Sequence, residues 1–94
     1  MVLMLLLSCS DACEQACAAT SRAASACMAD WSADWDELGA ASRQDFRETC
    51  VEDWGGLRAE LETREIQQAL DRCEDATAEV RQLSCDSLRA LLLD

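Results

Sequence analysis

The sequence predicts an all-α domain, a small bundle of three to four helices cross-linked by disulfides. Apolar residues and cysteines recur at steps of three and four, no useful stretch alternates with period two, and six of the seven cysteines make an even set. Ninety-four residues form one small domain, and at that size only about 60–65% of the unfolded chain's surface is buried on folding. Half the residues count as hydrophobic, yet many are alanines and cysteines, and the only aromatic residues are Trp31, Trp35, Trp54 and Phe46. Cross-links are expected to supply what burial lacks, at roughly 2–4 kcal/mol each against a total stability of about 5–15 kcal/mol.

The first helix is expected to start at Asp11-Ala12-Cys13-Glu14, where Asp11 can accept from the first free backbone amides and Glu14 can reach back. Cys13, Cys17, Thr20, Ala24, Cys27, Trp31 and Trp35 follow at steps of three or four and their sums. At about 100° per residue, Cys17 and Cys27 lie about 40° to either side of Cys13, so the three sulfurs share a face. Asp34-Trp35-Asp36-Glu37 and Gly39 interrupt or restart the helix, because acids are unfavourable at a helix C-terminus. A second helix starts at Ser42-Arg43-Gln44-Asp45, presents Phe46, Cys50 and Trp54 at i, i+4 and i+8, and is expected to end at Gly55-Gly56. Leu57 and Leu61 read either as helical or as loop anchors. Thr63 is the expected N-cap of a third, amphipathic helix carrying Ile66, Leu70, Cys73, Thr77 and Val80. Ser84-Cys85-Asp86 reads as a turn capping a last short helix through Leu88, Leu91 and Leu92.

Six cysteines, Cys13, Cys17, Cys27, Cys50, Cys73 and Cys85, allow fifteen connectivities. If the first two helices form an antiparallel hairpin turning near residue 39, Cys27 and Cys50 sit at similar distances from the turn and can meet. The expected pairs are then Cys27 with Cys50, Cys17 with Cys73, and Cys13 with Cys85.

The seventh cysteine, Cys9, stands directly behind the uncharged apolar run Met1-Val2-Leu3-Met4-Leu5-Leu6-Leu7-Ser8. Leu6-Leu7-Ser8-Cys9 resembles the lipobox of bacterial lipoproteins, in which the chain is cut before the cysteine and its sulfur loaded with lipid. The resemblance implies a signal segment over residues 1–8, a disulfide-stapled domain over 9–94, lipidation at Cys9, and a bacterial envelope location. Ser10 after the lipidated cysteine suits the outer membrane, with the chain lipid-anchored or periplasmic. The segment lacks a positive n-region, and its six apolar residues from Val2 to Leu7 are few for an export signal. The alternatives are a start codon upstream of Met1, or an apolar first turn, Met1 to Leu7, packed on the domain. The run is too short to cross a bilayer.

Cys17 and Cys27, with nine residues between them, and Cys73 and Cys85, with eleven, also resemble a loose form of the twin CX9C pattern. That pattern belongs to oxidised helical-hairpin proteins of the mitochondrial intermembrane space.

Nineteen acids face eight arginines for a net charge of −11, which argues against nucleic acid and against adsorption to anionic lipid. Without histidine or lysine the chain has no Ser-His-Asp, Cys-His or Schiff-base chemistry, and it has no glycine-rich phosphate loop. No catalytic residue, cofactor or metal is expected. The acids Asp30, Asp34, Asp36 and Glu37 read as an exposed helix junction; they lack the spacing of a calcium loop. Zinc sites favour close C-x2-C pairs and histidine, and neither is present. Trp31, Trp35 and Trp54 are the candidate interaction surface, since tryptophan is enriched in binding hot spots; their structural role would be to pack over a Cys27–Cys50 bridge. The leading expectation is a membrane-tethered protein-binding or structural module with an unknown protein partner. The rival is a metal-binding or redox protein with reduced cysteines.

Overall fold

The computed structural model describes residues 10–93; the lipobox-like segment and Cys9 lie outside them. Four α-helices fill the described residues, which contain no strand: α1 (Ala12–Trp31), α2 (Arg43–Arg58), α3 (Thr63–Val80) and α4 (Cys85–Leu92), with a 3-10 turn over Trp35–Leu38 between α1 and α2. This is the predicted all-α class.

The helices start where side chains satisfy the free backbone amides. Asp11 accepts from Glu14 N at 2.8 Å while the Asp11 amide donates to Glu14 Oε1, closing the predicted capping box. Ser42 caps α2 through the Asp45 amide and Ser84 caps α4 through the Ser87 amide. The α3 cap moves back one residue from Thr63 to Glu62, whose amide donates to Glu65 Oε1. Helix α1 ends at Ser32 in the left-handed region, with φ of 50°.

Helix α1 is the centre of the molecule. The other three helices pack chiefly on it, and its buried residues Cys13, Cys17, Ala19, Ser21, Ala24, Cys27 and Trp31 spread over about 200° of its circumference. Each disulfide ties it to a different neighbour: Cys13–Cys73 to α3, Cys17–Cys50 to α2, and Cys27–Cys85 to α4. The contacts also fix direction. Helix α2 runs antiparallel, since Cys50 meets Cys17 and both Trp54 and Arg58 reach Asp11. Helix α3 runs parallel, from Cys73 beside Cys13 to Val80 beside Ala19 and Ala23. Helix α4 returns from Cys27 toward Cys17 and places Leu88 against Ala24, Cys27 and Trp31.

All six cysteines pair, but none of the three expected pairs forms. A simple hairpin turning near residue 39 would set α2 directly beside the end of α1, whereas residues 32–42 fold back over that end. The Ala33 amide donates to the Met28 carbonyl, and Trp35 and Leu38 pack against the cluster around Cys27 and Trp31. The place beside Cys27 is taken by Cys85 at the start of α4, and Cys50 meets Cys17 instead, ten residues further up α1 and about 15 Å along its axis. Nor does the twin CX9C likeness extend to a two-helix hairpin, because Cys73 and Cys85 stand on different helices.

A second correction concerns Gly55-Gly56, which do not end α2; it continues to Arg58. Neither glycine has a positive φ, the only glycine that does being Gly39 at 75°. Trp54 and Arg58 are both held at the α1 N-terminus, and these anchors outweigh the roughly 1 kcal/mol that each helical glycine costs relative to alanine.

Because a Cβ at Gly55 or Gly56 meets nothing within 4 Å, Gly55→Ala and Gly56→Ala are each expected to stabilise the oxidised protein. The gain in urea unfolding should be about 0.5–1 kcal/mol per site; a loss at either site would refute the continuous helix. Replacing Cys27 and Cys85 together by alanine should cost about 2–5 kcal/mol and shift tryptophan emission to the red as Trp31 loses its α4 cover.

Candidate functional site

The three tryptophans named from the sequence do not form one surface. Trp31 is buried, and its indole N–H donates to the Cys85 carbonyl at 2.8 Å, beside the Cys27–Cys85 bridge. Trp35 is half-buried against Phe46, ring centroids 5.6 Å apart and tilted by 46°, a favourable geometry for an aromatic pair. Trp54 is half-buried at the far end of α2, where its indole donates to Asp11 Oδ2 at 2.8 Å. The expected packing over a Cys27–Cys50 bridge is replaced by these three separate settings, since that bridge does not exist.

Asp11 is the residue whose role the sequence under-reads. One carboxylate oxygen caps α1, and the other accepts from both Trp54 Nε1 and Arg58 Nη1 at 2.8 Å. A single side chain thus starts α1 and fastens the end of α2 to it. The cap was legible from Asp11-x-x-Glu14; the long-range partners were signalled only by the rule that a covered indole N–H finds an acceptor.

The apolar stripe of α2 borders a groove of about 470 Å³ between α1 and α2. Its floor holds the bridges at Cys13 and Cys17, its walls are Phe46, Trp54, Leu57 and Leu92, and it is lined almost wholly by carbon and sulfur. Helix α2 buries no residue completely, and Leu57 is 51% exposed. The groove lies within the usual size range of ligand pockets, about 300–1,000 Å³. A second groove of similar volume flanks α2 on its other side, where Ser10, Glu14, Arg47, Glu48 and Glu52 make it polar.

A sulfur in a disulfide is neither a thiolate ligand nor a nucleophile, so the six bonded cysteines offer no reduced thiol for metal or redox work. Among the described residues, no three His, Cys, Asp or Glu side chains cluster as a metal site. Asp30, Asp34, Asp36 and Glu37 are all exposed. Cys9, the candidate lipidation site, lies outside the described residues.

Asp11→Ala is expected to destabilise the oxidised protein by about 1–3 kcal/mol in chemical denaturation, losing an N-cap and two charge-assisted bonds. Arg58→Ala should cost under about 1 kcal/mol, because its side chain is 48% exposed and the pair is screened by water. Equal losses would refute the ranking. Compared with known protein families, curated proteins and solved structures, the chain matches none.

Proposed function

We propose that this chain is an envelope-anchored small helical lipoprotein, acting as a protein-binding or structural module with no catalysis of its own. The supporting observation is the partition of its sulfurs. Six cysteines bond to one another, and Cys9, behind Leu6-Leu7-Ser8, is the one that these bonds do not use. Lipid loading gives that remaining sulfur a chemical fate that does not compete with the other three bonds.

Three disulfides belong to an oxidising compartment. Among the described residues no helix is long and apolar enough to cross a membrane; in this reading attachment comes from two or more acyl chains on Cys9, since one chain alone anchors only reversibly. Ser10 directs the processed protein to the outer membrane. With a net charge of −11, its surface repels anionic headgroups and nucleic acid alike. The partner is a protein, and the groove beside Trp54 and Leu57 is the surface best suited to take an apolar side chain from it.

Intact mass of the protein purified from its native envelope tests this reading. Expected are loss of residues 1–8, added acyl mass on Cys9, and the absence of six hydrogens for the three bonds; Cys9→Ser should leave the protein unlipidated and out of the membrane fraction. A full-length chain with an unmodified Met1, or six or seven titratable thiols, would overturn it.

A further inference from the structure

We infer that the groove between α1, the end of α3 and the start of α4 binds a single-chain amphiphile with an anionic head, an alkyl carboxylate of about ten carbons. This groove has a volume of about 420 Å³, within the usual size range of ligand pockets, about 300–1,000 Å³. Ala19, Cys27 and Leu88 are buried at its floor, and the half-buried Val80 and Leu83 line it from the α3 end. Against this apolar lining stand two charged side chains, Arg22 of α1 and Arg81 at the end of α3, both exposed at the rim.

Charge selects the head group. The chain carries nineteen acids against eight arginines, and the two grooves beside α2 follow that balance: Glu14, Glu48 and Glu52 line the polar one, and Asp53 borders the apolar one. Between α1 and α3 the balance reverses, with two arginines and, among the described residues, no Asp or Glu in the lining. Neither arginine is neutralised locally. Arg22 is the only charged residue between Glu14 and Asp30, and neither Arg22 nor Arg81 has an acid three or four positions away. Among the described residues the one ion pair joins Arg58 to Asp11. Two guanidiniums on different helices, each a fork that matches a carboxylate, border one groove and suit one anion.

Apolar volume selects the tail. A cavity of about 150 Å³ accepts a six-carbon benzene ring, so a groove nearly three times as large and open on one side has room for about ten to twelve carbons. A bilayer surface is a different partner, because it presents many anionic heads to a protein of net charge −11 and keeps its tails away from the groove. A free amphiphile meets the two arginines within a Debye length of about 8 Å, where they outweigh acids outside the lining. This site is separate from the groove beside Trp54 and Leu57, and it stands whether or not Cys9 carries lipid.

Arginine stems also cover apolar surface without binding anything, so the variants chosen are Arg22→Met and Arg81→Met, which keep an apolar stem and remove the charge. Sodium decanoate, below its micelle-forming concentration, is titrated into the oxidised full-length chain carrying Cys9→Ser and followed by calorimetry and backbone amide shifts. Expected are saturable binding at one site, shifts at Ala23, Leu83 and Leu88, and a weakening of about two- to tenfold in each methionine variant with the three disulfides intact. Each methylene added from octanoate to decanoate should tighten binding about two- to fourfold. No saturable binding, equal affinity for decanol, unchanged affinity in both methionine variants, or shifts confined to Trp54 and Leu57 would each overturn the site. Binding to anionic vesicles without binding of monomeric decanoate would overturn it as well. Because Cys9→Ser blocks lipidation, none of these outcomes bears on the lipoprotein reading, which stands or falls on the mass measurement.

Discussion

The fold depends on one helix being bonded through sulfur to each of its neighbours. Of the buried side chains only Trp31 and Leu88 are large; the others are alanine, serine and cysteine. A core of that kind buries too little apolar surface to hold four helices unaided. The disulfides close loops with separations of 60, 33 and 58 residues, and in the chain-entropy account each alone removes about 4 kcal/mol of freedom from the unfolded state. The loops overlap, so the three effects do not simply add.

Choosing cysteine for these positions also settles the packing. At Cys13, Cys17 and Cys27 a small buried side chain lets a second helix approach closely, with Cα–Cα distances of 4.9–5.7 Å across the bridges. Leucines there would fill the space between helices and push them apart. The arrangement is a hub with three attached helices, and the neighbours of α1 depend little on one another. Helix α2 is the least covered of them, with no fully buried residue, and it is accordingly the one that needs Asp11 at its far end.

Local sequence signals located most of the elements. Caps at Asp11, Ser42 and Ser84 were legible because capping involves residues three apart, and the sulfur-bearing face of α1 was legible because helical geometry is periodic. Connectivity was not, because it turns on how residues 32–42 travel, and a spacing argument counts residues without knowing that Trp35 and Leu38 fold back on Cys27 and Trp31. Gly55-Gly56 misled for a related reason: the glycine signal is local, and the bonds from Trp54 and Arg58 to Asp11 that override it span 43 and 47 residues. The tryptophans stand out in the sequence by residue type, and their separate partners are not legible there for the same want of long-range information.

Dependence on sulfur bonds has a consequence for when the chain can fold. In a reducing compartment the cross-links are absent, the small core must act alone, and a net charge of −11 on 94 residues opposes compaction. The reduced chain is therefore held toward its unfolded ensemble until an oxidant is met. Exchange among six thiols proceeds through thiolates and mixed disulfides, and in a hub arrangement a wrong pair puts the wrong helix against α1. Only the native set leaves Trp31 able to reach the Cys85 carbonyl and Asp11 able to hold Trp54 and Arg58 together. Weak as the core is, its few specific contacts select among the fifteen pairings that the sulfurs alone would permit.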